Sequence, residues 1–210
     1  MRKLLLILVL ALALAPLGSL WAGEPIAASL SAEDKTDLAR IQAYLNGLKN
    51  ISADFLQVDD AGGFIRGVLA ISRPGKMHVT YDLPSKDFII ADGSFVHIWN
   101  DDLKAQTNVE QGSSLAEFIL RDPIKLTGEV TVTRLKHFPA KIEMTLVQTN
   151  DPASGSLTLV FEDKPLRLRQ WKVIDAQGRT TGVSLENMSE AVTLPASTFY
   201  FSPPNFGKNP

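Results

Sequence analysis

The chain has no cysteine, only three histidines and almost no net charge, with 21 Lys and Arg against 23 Asp and Glu. Without cysteine there is no disulfide framework, no thiolate nucleophile and no thiolate metal site, so the core alone must hold the fold. Balanced charge gives no footprint for nucleic acid, whose recognition needs clustered cations. The one local cluster, Lys164, Arg167, Arg169 and Lys172, alternates along a strand-like segment and reads as a solvated face. His78, His97 and His137 sit in separate strand-like segments with no partner at metal-ligand spacing. Asp59-Asp60, Asp92-Gly93 and Asp101-Asp102 have turn chemistry, and a calcium loop needs more oxygen ligands at fixed offsets. Glycine-rich phosphate loops and the G-x-S-x-G elbow are missing too. Little is left on which to build an enzyme, and no cofactor or metal is expected.

Long hydrophobic runs are also scarce. One stands at the start, where Met1-Arg2-Lys3 precedes the apolar stretch Leu4 to Ala15 and small residues follow up to Ala22. This is the pattern of a secretory signal peptide over residues 1–22, with cleavage expected after Ala22 and Ala28 as the second choice. The run is shorter than the roughly 20 apolar residues that span a bilayer, and no cysteine follows it to carry a lipid. Residues 23–210 carry no linker, repeat or low-complexity segment and read as one domain, large enough to bury about 70% of its unfolded surface.

What is present is strand after strand. Ser31-Ala-Glu-Asp34 reads as an N-cap with an acidic first turn, and Leu38, Ile41 and Leu45 follow at helical spacing, predicting one amphipathic helix over residues 32–49. Short β-segments then recur about every ten residues, broken by Asp-Gly, Pro-Gly and Asn-Asp-Pro turns. They are expected at residues 51–58, 64–72, 77–82, 87–91, 95–100 and 103–107, and again at 129–136, 141–148, 155–161, 168–174, 180–188 and 199–202. Between the two series Ser113-Ser114 caps a second helix with Leu115, Phe118 and Ile119 on one face. The predicted fold is mainly β: a curved, unclosed antiparallel barrel of about eleven strands under a lid of two or three short α-helices.

Within that sheet Ile65, Gly67, Leu69 and Ile71 share one face by alternation, and Arg73 falls on the same face before Pro74. A guanidinium among aliphatic side chains must use its donors, because an unpaired buried charge costs several kcal/mol. Arg73 is either a cationic hydrogen-bonding hub in an apolar cavity or a strand end whose head reaches water. Met77, Val79 and Tyr81 alternate with polar neighbours, while Phe88 to Ala91 and Phe95 to Trp99 are apolar nearly throughout, as strands covered on both faces would be. An eleven-stranded curved sheet encloses more inner face than two helices readily fill, and a methionine and aromatics suit flexible acyl chains. The expected acyl-chain cavity is lined by Leu69, Ile71, Arg73, Met77, Val79, Tyr81, Ile90 and Trp99, with Leu115, Phe118, Leu38, Ile41 and Leu45 on the lid.

Several segments resemble the LolA family of periplasmic outer-membrane lipoprotein carriers. They are Ala53 to Gln57 (ADFLQ), Gly67 to Pro74 (GVLAISRP), Tyr81 followed by Pro84, Ile89 to Gly93 (IIADG), Trp99, Gln170-Trp171 with Asp175 to Gly178, and Phe199 to Pro204 (FYFSPP). Family members of the best-known type carry a tryptophan where this chain has Tyr81. The resemblance implies a periplasmic, cofactor-free carrier, monomeric and without nucleic-acid partners. It implies that acylated lipoproteins pass from an inner-membrane ABC-type release complex to an outer-membrane acceptor or to the outer membrane itself. It further implies that Arg73 hydrogen-bonds lid carbonyls when the cavity is empty. The same fold serves sensor domains and carriers of other lipids, and a hydrolase would require the three histidines to converge with a carboxylate.

Overall fold

The computed structural model describes residues 25–112 and 114–202. The expected signal peptide, Ser113 and the residues from Pro203 onward lie outside them.

Helix α1 (Ala32–Gly47) starts at the N-cap expected at Ser31, where Ser31 and Asp34 form a reciprocal capping box. The Ser31 hydroxyl accepts from the Asp34 amide at 3.1 Å and the Asp34 carboxylate accepts from the Ser31 amide at 2.8 Å. Its apolar face buries Ile41 and Leu45 completely. Strands β1 (Asn50–Asp59), β2 (Phe64–Ser72), β3 (Lys76–Tyr81), β4 (Phe88–Asp92), β5 (Phe95–Asn100) and β6 (Ala105–Glu110) form one antiparallel meander. A second contains β7 (Val130–Phe138), β8 (Lys141–Gln148), β9 (Gly155–Glu162), β10 (Arg167–Asp175) and β11 (Thr180–Ser189). Pairing of β1 with β11 fuses them into a single sheet in the order β6-β5-β4-β3-β2-β1-β11-β10-β9-β8-β7. Inward residues from both flanks, such as Val96 and Ile98 of β5 and Val130 and Val132 of β7, belong to one core cluster. A flat sheet of eleven strands could not bring them together, so it wraps around that core without closing.

The two edge strands, β6 and β7, are consecutive in sequence. Their connection therefore runs from one edge to the other across the open side, carrying the 3-10 segment Leu115–Leu120 on the way. Both edges are protected against strand addition. β6 is polar and exposed along most of its length, and the Ala28 amide donates to the Val132 carbonyl of β7 at 2.9 Å.

Three expectations change. The described residues contain one α-helix and three 3-10 segments (Leu115–Leu120, Pro152–Ser154 and Ala196–Phe199), not a lid of two or three α-helices. The covering segment after β6 is six residues long and stops at Arg121, before Asp122-Pro123, too short for a stable α-helical ladder. The segment expected as a strand at 199–202 is not one. Pro195 caps the Ala196–Phe199 turn, and the chain continues as a strap against the outer face, where Phe201 lies 5.8 Å from Phe88 and 4.8 Å from His97. The strand expected at 103–107 begins at Ala105 instead, because the Asn100 side chain accepts from the Leu103 amide at 2.7 Å and lengthens the turn.

Gly67 marks a close approach between strands. A Cβ there would sit 2.0 Å from the Thr80 carbonyl oxygen and 2.9 Å from the Phe55 ring. Gly67→Ala is expected to push β3 from β2 and to destabilise the protein by about 1–3 kcal/mol, read as a lower urea midpoint at unchanged m-value.

Candidate functional site

The site is assembled where the covering segments meet the sheet. α1 ends at Gly47 with Leu48 as its C-cap and no basic residue in its last turn, leaving the carbonyls that gather at a helix C-terminus without a cation. Arg73, at the end of β2, supplies it. Its side chain is buried, with Nε donating to the Leu48 carbonyl at 2.5 Å and Nη2 bonded to the Leu45 and Leu48 carbonyls. Nη1 donates to the Arg121 carbonyl at 3.0 Å, which is the C-cap of the Leu115–Leu120 segment. One guanidinium thus ties sheet, helix and crossing connection together. Burial lowers its pKa and the Asp122 carboxylate offsets part of that effect. It stays charged, as arginine does in proteins.

A polar seam runs beside it. Asn46 donates to the Ile124 carbonyl at 2.9 Å and accepts from the Ile124 amide at 2.8 Å. Gln42, one turn earlier, accepts from the Leu126 amide at 3.0 Å. Lys49 and Asp122 pair at 2.7 Å, and the Gly75 amide donates to the Leu120 carbonyl at 2.9 Å. Glu117 is buried within the crossing segment and accepts from the Gly112 amide at 2.6 Å; burial raises its pKa. None of Gln42, Asn46 or Glu117 was singled out from sequence. The helical i,i+4 spacing of Gln42 and Asn46 beside Ile41 and Leu45 is the signal that could have found two of them.

Beneath the cover an apolar cavity of about 40 Å³ is lined by Phe55, Leu69, Met77, Val79, Ile119, Trp171 and Val183, among others. A water needs about 10–15 Å³ of such space, so the cavity has room for a few waters and none for an acyl chain. The expected excess of inner face is thus filled mostly by the protein's own side chains. Leu69, Met77 and Val79 line this cavity. Ile71 is buried in the surrounding core, and Tyr81 packs edge-on against Phe55 with ring centroids 5.7 Å apart. Leu115 and Phe118 of the crossing segment and Ile41 and Leu45 of α1 are buried in the same core, with Leu38 packed against it.

Ile90 and Trp99 do not belong there. Register pairs Val79 with Ile89 and Ile89 with Ile98, which fixes those three on the inner face. The same pairing sends Ile90 outward with His78 and His97, and Trp99 outward with Phe88 and Thr80. Both are buried from the other side: Trp99 stacks on Phe88 at 6.3 Å and Ile90 lines an outer hollow with His78 and Tyr200.

The histidines serve the frame. His97 lies 2.9 Å from both the Asp92 and Asn108 side chains, and His137 lies 2.8 Å from Asp37 of α1. His78 lies under the C-terminal strap, where burial lowers its pKa. Among the described residues no group of three His, Cys, Asp or Glu could hold a metal ion, and no helix is long and apolar enough to cross a membrane.

The sequence profile of the family described as outer membrane lipoprotein carrier protein LolA matches residues 46–202. The chain belongs to this family. An outer-membrane lipoprotein carrier protein of Pseudomonas putida strain W619 is 28% identical, with 97% of this chain and 96% of the relative covered. A protein of the same name from Chromobacterium violaceum is 26% identical over 90% of this chain and 95% of its own length. The solved structure of a DUF1329-family protein from Desulfovibrio piger shares the fold at a TM-score of 0.50 and 11% identity, covering 80% of this chain and 96% of its own. A LolA-superfamily protein from Nitrosomonas europaea gives a TM-score of 0.46 at 10% identity, over 78% and 97%. LolA-family membership and the relatives' names support a lipoprotein carrier role.

Because Asn46 bonds both the carbonyl and the amide of Ile124 across the seam, Asn46→Ala should cost about 1–3 kcal/mol. It should also speed hydrogen exchange at the Ile124 amide by more than at the amides of β8 and β9, measured by native-state exchange.

Proposed function

We propose that this LolA-family protein carries lipoproteins across the periplasm with their acyl chains in the space between the sheet and its cover. In this reading residues 1–22 direct export and residues 23–210 form one carrier domain. Cargo arrives from an inner-membrane ABC-type release complex and leaves to an outer-membrane acceptor or to the outer membrane itself. The observation that carries the reading is the arrangement of Arg73, whose buried guanidinium bonds carbonyls of both segments that must part to admit a chain.

Loading then becomes a competition. The closed state holds four hydrogen bonds from one cation, each contributing about 1.5–3 kcal/mol. An entering chain contributes about 0.8 kcal/mol per buried CH₂. It must separate α1 and the Leu115–Leu120 segment from the sheet, and opening offsets most of the gain. A carrier needs that near balance, because a site that only gained free energy on loading would not release. Leu115, Phe118, Ile41 and Leu45 then form the moving wall, facing Leu69, Ile71, Met77, Val79 and Tyr81.

The decisive experiment loads the protein with a diacylated lipoprotein and incubates it with outer-membrane vesicles. Arg73→Leu should fold and load but retain its cargo, since the closed state no longer competes while leucine adds apolar wall. Transfer equal to the parent's would make Arg73 a purely structural tie. In the same assay Phe118→Asp should reduce loading at least about ten-fold, the loss that about 1.4 kcal/mol produces, with circular dichroism unchanged. Normal loading by the folded variant would place the chains elsewhere.

A further inference from the structure

The cavity wall is not apolar throughout. Inward positions along β1 read Ile51, Ala53, Phe55 and then Gln57, and along β11 from its far end Leu185, Val183 and then Thr181. Along β10 the inward run of Trp171 and Val173 ends at Asp175. Pairing sets Gln57 opposite Val183, Asp59 opposite Thr181, and Thr181 opposite Val173. Three adjacent strands therefore change from apolar to polar at one end of the cavity, and Arg179 from the β10–β11 hairpin joins them in its wall. Gln57 is 1% exposed, and Thr181 and Asp175 are each 9% exposed. Packing alone does not call for this, because aliphatic residues fill such positions without the desolvation cost of polar groups.

The chemistry of this end is specific. Asp175 is saturated by its own hairpin: Oδ1 accepts from the Gln177 and Arg179 amides at 2.9 Å each, and Oδ2 from Arg179 Nε at 2.7 Å. It holds the guanidinium in place and neutralises it. Thr181 and Arg179 can offer a guest O–H and N–H donors, Gln57 adds an amide, and the Asp175–Arg179 pair beside them cancels its own charge. Hydrocarbon fits the opposite end, at Leu69, Met77, Val79 and Ile119.

We propose that the Gln57, Thr181 and Arg179 end is a subsite for uncharged ester or amide carbonyls, the linkage at which acyl chains meet a glyceryl head group. The subsite orients a guest with its tails toward β2 and β3 and its head at the β10–β11 hairpin. Because Asp175 cancels the charge of Arg179, it favours a carbonyl over the carboxylate of a free fatty acid. The inference rests on the proposed acyl-chain binding and adds to it the chemical class of the linkage. Ester carbonyls of this kind occur in lipoproteins and in phospholipids alike.

The test uses the mature protein and a naphthylamine fluorophore that reports an apolar cavity. Four competitors displace it: a diacylglyceryl peptide, its dialkyl ether analogue without carbonyls, dipalmitoyl phosphatidylethanolamine and palmitate. The parent should bind the diacyl peptide about ten-fold more tightly than the ether, the ratio expected of about one net hydrogen bond to a charged donor. In Gln57→Leu with Thr181→Val that ratio should fall below about two-fold, with ether binding unchanged or tighter. Arg179→Met, which alters an exposed side chain, should lower the ratio as well and serves if the double variant does not fold. A parent that does not distinguish ester from ether, or that prefers palmitate, overturns the subsite while leaving the carrier reading intact. A parent that takes up no fluorophore overturns both. Displacement by phosphatidylethanolamine but not by the lipopeptide overturns lipoproteins as the cargo and, with no ester preference to read, the subsite as well.

Discussion

A guanidinium taken out of water has to be met by acceptors, and most of the architecture around the cavity follows from where Arg73 finds them. The acceptors are carbonyls at the ends of two covering segments, groups that a helix or 3-10 turn leaves unsatisfied. The protein thereby pairs two desolvation problems so that each solves the other. Arg73 fixes where α1 stops, because the Leu45 and Leu48 carbonyls must face β2. It fixes where the crossing connection turns, because the Arg121 carbonyl must arrive at the same point. Asn46 and Gln42 then seal the line between them with backbone bonds.

Sheet topology makes such a cover necessary and available. An open sheet with consecutive strands at its two edges has to send its chain across the gap, and that connection is the obvious material for a cover. A closed barrel would need no crossing and offer no gap. The cost of remaining open is two unpaired edges, which this chain blunts with polar residues on β6 and with the stretch before α1 on β7.

Much of the fold was legible in the sequence. The capping box at Ser31, the Asp-Gly hairpin at Asp92 and the alternation that put Arg73 on the face of Leu69 and Ile71 are local signals, and local signals survive folding. What escaped depends on register and on segments distant in sequence. Phe88 to Ala91 and Phe95 to Trp99 carry no polar alternation, so nothing in them says which side faces in. Only the pairing of Val79 with Ile89 decides it, and it sends Ile90 and Trp99 outward. Gln42 and Asn46 resemble ordinary surface residues of a helix until the segment at 124–126 arrives. The polar end of the cavity was hidden for the same reason, since Gln57, Thr181 and Asp175 become neighbours only when β1, β11 and β10 pair.

The strap over β3 to β5 has a mechanical consequence. Strands packed on both faces resist bending, because any change in curvature must compress one layer and stretch the other against close-packed side chains. Phe88, packed between Trp99 and Phe201, and Ile90, which shares an outer hollow with Tyr200, stiffen that flank. On β8 and β9 only one face alternates into the core. The barrel is therefore unequally compliant: one jaw is a fixed anvil, and whatever breathing the interior undergoes is expressed through the single-layered jaw and the crossing chain above it.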